Sequence, residues 1–196
     1  MWTLCSLESF ASPRFLDLSG AALAADKRRL GDRYTGVQWV VADVTKWQPS
    51  QTYDLWHDRA AFHFLTDHAD QSAYVDRLKL AVKSEGYVVI GTFAPDGPER
   101  CSGLPILRHD ADTLAPILGS DFVLIDTRRQ DHATPWGVVQ RFQFSTFRRA
   151  QRDGFAVTVK EETPNIQSSA VGCCSFRRRR VSGLVQKITS SGTWAV

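Results

Sequence analysis

Residues 87–93 (YVVIGTF) constrain the fold of this 196-residue chain more than any other segment. The run is apolar, aromatic and β-branched with no polar alternation, which describes a strand buried on both faces. A strand reaches that state inside a mainly parallel sheet whose two sides are covered by helices. The surrounding sequence supplies them. Asp70 is placed to cap a helix whose apolar positions Tyr74, Val75, Leu78, Ala81 and Val82 repeat at three-four spacing, with Gly86 as its stop. Earlier, Ser19 caps a helix through Ala22, Leu23 and Leu30 that ends at Gly31.

Short β-rich runs separate these helices. Residues 15–18 read as the end of a strand, and 37–42 (VQWVVA) and 53–58 (YDLWHD) as two more. After the central strand come a Pro/Gly-rich loop over 94–105, a short helix near 111–118, and strands at 122–128 and 138–147. The last alternates imperfectly, which suits a half-exposed strand near a sheet edge. Strands and helices in this order predict an α/β layered fold with a mainly parallel sheet.

The two ends break the pattern. Residues 1–14 show no periodicity. Residues 150–196 hold ten Ser or Thr, an isolated cationic run of Arg177, Arg178, Arg179 and Arg180, and no lasting apolar period, so the expectation is a basic tail that does not fold. Charge divides at the same place: residues 1–149 carry 17 Lys/Arg against 18 Asp/Glu, and 150–196 carry 7 against 3. A near-neutral body argues against nucleic acid as its partner, leaving the four arginines as the one place where RNA or an acidic surface could bind. No apolar run approaches the ~20 residues of a membrane span, and no secretory leader is visible, so a cytoplasmic location is the expectation. Cys5, Cys101, Cys173 and Cys174 have no zinc or disulfide spacing.

In an open parallel sheet, ligands bind beyond the C-terminal ends of the strands. Four such ends here carry polar residues. Asp17, in Leu16-Asp17-Leu18-Ser19, can accept from two ribose hydroxyls. Asp43, in Ala42-Asp43-Val44-Thr45, can accept from an adenine amino group while the amide and side chain of Val44 meet the ring. The third end is His57-Asp58-Arg59 and the fourth Thr92-Phe93. Adjacent strands would present this series along one rim.

On these residues, 15–149 resembles the class I S-adenosylmethionine-dependent methyltransferases, entering that fold at its second strand. Leu16-Asp17-Leu18-Ser19 is similar to the family's ribose motif and Ala42-Asp43-Val44 to its adenine motif. The segment from Tyr53 to Leu65 resembles its fourth strand and substrate-facing turn, and 78–90 its helix, glycine and fifth strand. The resemblance implies a Rossmann-like sheet with an antiparallel last strand and S-adenosylmethionine as cofactor. It implies cofactor contacts from Asp17, Leu18, Asp43, Val44 and His57, and substrate contacts from Trp56, Arg59, Phe62 and Phe93. The substrate is then a small molecule or a protein side chain. Methyl transfer is a direct displacement, so a base is optional; His57 is the first candidate and Asp58 the second.

The family's first strand ends in a glycine-rich loop against the methionine part of the cofactor. The thirteen glycines of this chain never stand two apart and none precedes Asp17, so the expected domain is N-terminally truncated. Two consequences are expected: an exposed strand edge where the first strand belongs, and, as an alternative function, an inactive fragment or partner-binding module. Two other chemistries fit less well. His57, Asp58, His63, Asp67 and His68 crowd into twelve residues, but no two histidines have i, i+4 spacing, so no metal site is expected. A nicotinamide reductase would need the same missing loop, and no Tyr-x-x-x-Lys pair is present.

Overall fold

The computed structural model describes residues 13–31, 36–134 and 137–151, and the backbone of 183–187. Its centre is a seven-stranded sheet. The strands are β1 (Arg14–Asp17), β2 (Gln38–Val41), β3 (Tyr53–Arg59), β4 (Val82–Phe93), β7 (Phe122–Ala133), β8 (Val139–Arg149) and β9 (Gly183–Lys187). A separate two-residue hairpin is formed by β5 (Arg100–Cys101) and β6 (Leu104–Pro105). The order across the sheet is β2-β1-β9-β3-β4-β8-β7. From β2 to β4 all pairings are parallel, and β8 runs antiparallel to both of its neighbours. The α/β architecture and mainly parallel sheet predicted from sequence are therefore present.

Two layers of helix cover the sheet. Helix α1 (Gly20–Leu30) starts where the Ser19 hydroxyl accepts from the Ala22 amide at 3.2 Å and ends at Gly31, whose φ of 58° only glycine adopts at little cost. Its Leu23 packs with Phe15, Val37 and Trp39 on one face. Helix α2 (His68–Ala81) and α3 (Ala111–Leu118) cover the other face, where Leu16, Trp47, Tyr53, Trp56, Tyr74, Leu78, Ile90, Leu114 and Phe147 make the main core. Neighbours Phe15 and Leu16 fall in different clusters because successive strand residues point to opposite faces.

Several expected boundaries move. The cap of α2 is Asp67, whose carboxylate accepts from Ala69 at 2.6 Å, rather than Asp70; α2 stops at Ala81 because β4 begins at once. Strand β4 contains an irregularity: Tyr53 pairs with Val82 but Leu55 with Tyr87, so residues 83–86 loop out of the ladder. The left-handed residue there is Glu85, at φ 64°, and not Gly86. Gly86 is needed for space, since a Cβ there would meet the Lys83 carbonyl oxygen and Val82 Cγ1 at 2.8 Å and the Asp54 carbonyl oxygen at 3.2 Å. Strand β8 is half-exposed and lies one strand in from the edge, as expected; the edge itself is β7, most of which is exposed.

The largest difference is β9. It lies within the tail whose composition predicts no structure, and it fills the position between β1 and β3 where an open edge was expected. The four arginines at 177–180, residues 1–12 and the cysteines at 5, 173 and 174 lie outside the described residues. Among the described residues, no helix is long and apolar enough to cross a membrane, and no three His, Cys, Asp or Glu residues gather as a metal ligand set.

Candidate active site

All five parallel strands end on one rim, and the register fixes which residues share it. Asp17 pairs with Val41, and its carbonyl oxygen accepts from the Ala42 amide at 3.1 Å, so Asp43 follows directly beside the end of β1. Across β9, Lys187 is level with Arg59. Across β3, Arg59 is level with Gly91, two residues before Phe93. The structure thus brings the strand-end residues singled out from sequence onto one rim.

Their surroundings differ sharply. Asp17 is buried at 2% exposure, and one carboxylate oxygen accepts from the Ser19 amide at 2.7 Å, which fixes the turn into α1. Asp43 is open, with 35% of its side chain exposed. Partial burial acts to raise its pKa, but hydrogen bonds from the Thr45 hydroxyl and amide (2.7 and 2.9 Å), together with Lys46 at 3.4 Å, outweigh it, leaving the carboxyl below its ordinary value. Asp43 is therefore ionised at neutral pH. Next to it on the rim are two exposed apolar residues, Leu18 (61%) and Val41 (62%). The side chain of Val44 belongs to the main core at 4% exposure, so only its backbone is left to meet a ligand, contrary to the ring contact expected of it.

At the end of β3 the sequence separates two residues that looked like a pair. His57 and Asp58 are adjacent, so they project to opposite faces of the sheet. Asp58 faces α2 with no exposure and accepts from the Ala61 amide (3.0 Å), the Phe62 amide (3.2 and 3.3 Å) and the Tyr74 hydroxyl (2.7 Å). Tyr74 in turn accepts from Trp56 Nε1 at 2.8 Å. Burial raises the Asp58 pKa to about 6, with the Tyr74 and backbone donors acting to lower it. This carboxyl is a clamp on the turn at residues 60–64. That turn includes Ala60 in a left-handed conformation at φ 61°, held by its amide on the Gly91 carbonyl at 2.8 Å.

His57 is 4% exposed, and burial, reinforced by the nearby Arg59 charge, lowers its pKa to about 4. It is neutral at neutral pH. Arg59 is half-buried, with its guanidinium 5.3 Å from the centre of the Phe142 ring. Trp56, Phe62 and Phe93, expected to touch substrate, have no exposure: Trp56 and Phe62 are in the main core, and Phe93 packs with Cys101, Ile106 and Phe142. Aromatic residues beside a central strand have filled the space between sheet and helices, and a substrate reaches none of the three while that packing holds.

The fold also pairs His63, read from sequence only within the local His/Asp cluster, with the distant His109. His63 and His109 are buried at 0% and 5% exposure, and no ring nitrogen of either has a hydrogen-bond partner among the described residues. Burial lowers both pKa values, that of His63 to about 4 with a further push from His109. His109 immediately precedes the capping box of α3, in which Asp110 accepts from Thr113 at 3.0 Å, but nothing in its spacing connects it with His63.

No family model matches this chain, and no curated protein does. Solved structures do match it in fold. The N-methyltransferase NodS from Bradyrhizobium japonicum, in complex with S-adenosyl-L-homocysteine, superposes with a TM-score of 0.57 at 15% identity, over 74% of this chain and 81% of that one. A 1,6-didemethyltoxoflavin-N1-methyltransferase from Burkholderia thailandensis, with that compound and S-adenosylhomocysteine bound, gives 0.54 at 17% identity, over 76% and 75%. An S-adenosylmethionine-dependent methyltransferase from Methanosarcina mazei gives 0.56 at 14% identity, over 76% and 87%. The fold of this chain is the Rossmann-like fold of the S-adenosylmethionine-dependent methyltransferases.

Proposed function

We propose that the rim binds S-adenosylmethionine and that the protein transfers its methyl group to a small molecule or a protein side chain. The observation that carries this reading is Asp43: an ionised, accessible carboxylate beyond β2, beside the exposed apolar side chains of Leu18 and Val41. A purine with an exocyclic amino group fits that combination, since the carboxylate accepts from the amino group and the apolar residues cover the ring faces. Asp17 holds the β1–α1 turn from within, and the Asp58 clamp fixes the wall on the β3 side.

When bound, S-adenosylmethionine supplies an electrophilic methyl group that a nucleophile displaces directly. The chain's own contribution is then orientation and exclusion of water. Neutral His57 can accept a hydrogen bond, but a pKa of about 4 makes it a weak base at neutral pH. Arg59, half-exposed at the rim, is placed to meet a negatively charged group of the substrate.

Calorimetric titration of the full chain with S-adenosylhomocysteine tests the reading. Binding is expected, and Asp43→Asn is expected to weaken it about tenfold, the loss of one charge-assisted hydrogen bond at roughly 1.5 kcal/mol. Binding that Asp43→Asn leaves unchanged removes Asp43 from the site, and no binding at millimolar ligand removes the cofactor.

A further inference from the structure

Strands β1 and β3 share no ladder of their own among the described residues; each pairs with β9 along its length. The register runs Arg14, Phe15 and Leu16 against Leu184, Val185 and Gln186 on one side, and Leu55 through Arg59 against Gly183 through Lys187 on the other. The sheet made by residues 13–151 thus contains a slot one strand wide, open to hydrogen bonding from both sides. A slot of this kind leaves two rows of buried amide and carbonyl groups unpaired when empty, which a folded protein does not tolerate.

The geometry points to residues 183–187 as an inserted strand supplied by the chain's own tail, on whose insertion the spacing of the proposed cofactor rim depends. Two observations favour this occupant over another. First, β8 ends at the same sheet edge where β9 begins: Arg149 pairs with Phe122 and lies beyond the Tyr87–Arg148 pair, while Gly183 pairs with Leu55. Three strand spacings separate β8 from β9, ~14 Å in all. The sequence puts 33 residues, 150 to 182, between the two strands, and at up to ~3.3 Å each that length exceeds the distance. Second, the chain enters the slot parallel to both neighbours, so it leaves β9 at Lys187 on the rim, level with Arg59 of β3 and one residue past the last β1 pair at Leu16.

Insertion therefore has a functional consequence. Asp17 and Asp43 belong to the β1–β2 side of the slot, and Asp58 and Arg59 to the β3 side. With β9 in place these ends stand two strand spacings apart, ~10 Å, and without it no ladder sets their separation. A ligand that touches both sides binds the inserted state more tightly, and by linkage it stabilises β9 in its slot. This last step rests on the proposed cofactor; the strand insertion does not.

Hydrogen exchange of the full chain, read by mass spectrometry on peptides spanning 183–187, tests both parts. Exchange at least tenfold slower than in the denatured chain is expected without ligand, with further slowing on addition of S-adenosylhomocysteine. Val185→Pro removes a ladder amide and is expected to abolish that protection and to weaken S-adenosylhomocysteine binding at least tenfold, whereas Val185→Ile retains both. Exchange of 183–187 at the denatured-chain rate while β3 and β4 stay protected overturns the insertion. Protection that appears only in a dimer, by light scattering, overturns the assignment to the chain's own tail in favour of a second copy. Protected 183–187 in a chain that binds no S-adenosylhomocysteine upholds the strand and rejects the cofactor reading and its linkage.

Discussion

Acid should unfold this protein through His63, and replacing that residue should remove a defined part of the effect. The His63 ring is fully buried beside Phe64 and Phe93, at ring separations of 4.5 and 5.0 Å, with neither nitrogen hydrogen-bonded among the described residues. Its folded pKa of about 4 lies below the ordinary imidazole value of 6.5 that it regains on unfolding. A depressed folded pKa means that the unfolded chain takes up the proton first as pH falls. Stability is therefore intact above pH 6.5 and is lost progressively down to about pH 4. From about pH 7 to about pH 4.5, linkage gives a loss of roughly 2 kcal/mol from this one ring. His57 behaves in the same way with its pKa of about 4. Asp58 opposes both: its folded pKa is raised to about 6, so its contribution is full below the ordinary carboxyl value of 3.8 and is lost as pH rises through 6, and acidification over the same interval returns roughly 2 kcal/mol. Urea unfolding followed by tryptophan fluorescence at the two pH values, for the parent and His63→Phe, isolates the term. Any packing cost of the larger ring appears at both pH values and cancels. The acid-induced loss should be smaller in the variant by roughly 2 kcal/mol; equal losses in the two proteins refute the argument.

Tyr74→Phe deletes the hydroxyl that joins Trp56 to Asp58, leaving two buried polar groups short of a partner, and should cost about 2–4 kcal/mol in chemical denaturation while raising the Asp58 pKa further. Gly86→Ala places a methyl group 2.8 Å from a carbonyl oxygen and should cost about 1–3 kcal/mol; Glu85→Gly, which relieves a φ of 64°, should instead stabilise by up to about 1 kcal/mol, and calorimetric melting distinguishes the two signs. Asp17→Asn and Asp43→Asn should each lower the melting temperature without ligand, because each carboxylate accepts from the amide two residues on, whereas the exposed Asp43 carboxylate should account for the larger loss of ligand affinity.

The sequence made the α/β layering legible because its signals were local. Ser19 and Gly31 bracket α1 as their cap chemistry requires, α3 spans the residues expected of it, and the unbroken apolar run of 87–93 lies in the centre of the sheet. The positions of the strand-end acids followed from topology and were equally legible. Long-range packing was not. Nothing local in Trp56 or Phe62 distinguishes a core aromatic from a pocket wall; the difference is the depth to which α2 covers them. His109 lies far from His63 in sequence, and only the fold brings the two within electrostatic reach. Gly183–Lys187 was hidden for a related reason: five residues with two apolar side chains are too short a pattern to register in a polar tail, and their pairing comes from an empty place in the sheet rather than from their own composition.

The end of β3 shows how the site divides its work. Three hydrogen-bonded elements converge there: the Asp58 carboxyl, the Tyr74 hydroxyl and the amides of Ala61 and Phe62. Each donor is satisfied, and Asp58 has no exposure, so it has no oxygen to lend to a substrate. His57, on the other face, is too weak a base to compete with water-accessible groups near neutral pH. A nucleophile that must lose a proton before attack gains little from either residue; one that arrives deprotonated, such as a neutral amine or a phenolate, needs only to be held in line. The rigid left-handed turn at Ala60, clamped from inside by Asp58 and from β4 by the Gly91 carbonyl, is suited to holding it. On the proposed reading, catalysis here rests on placement. Methyl-transfer rates should then follow the ionisation of the nucleophile and not that of His57, and a rate profile that bends near the His57 pKa of about 4 would contradict this.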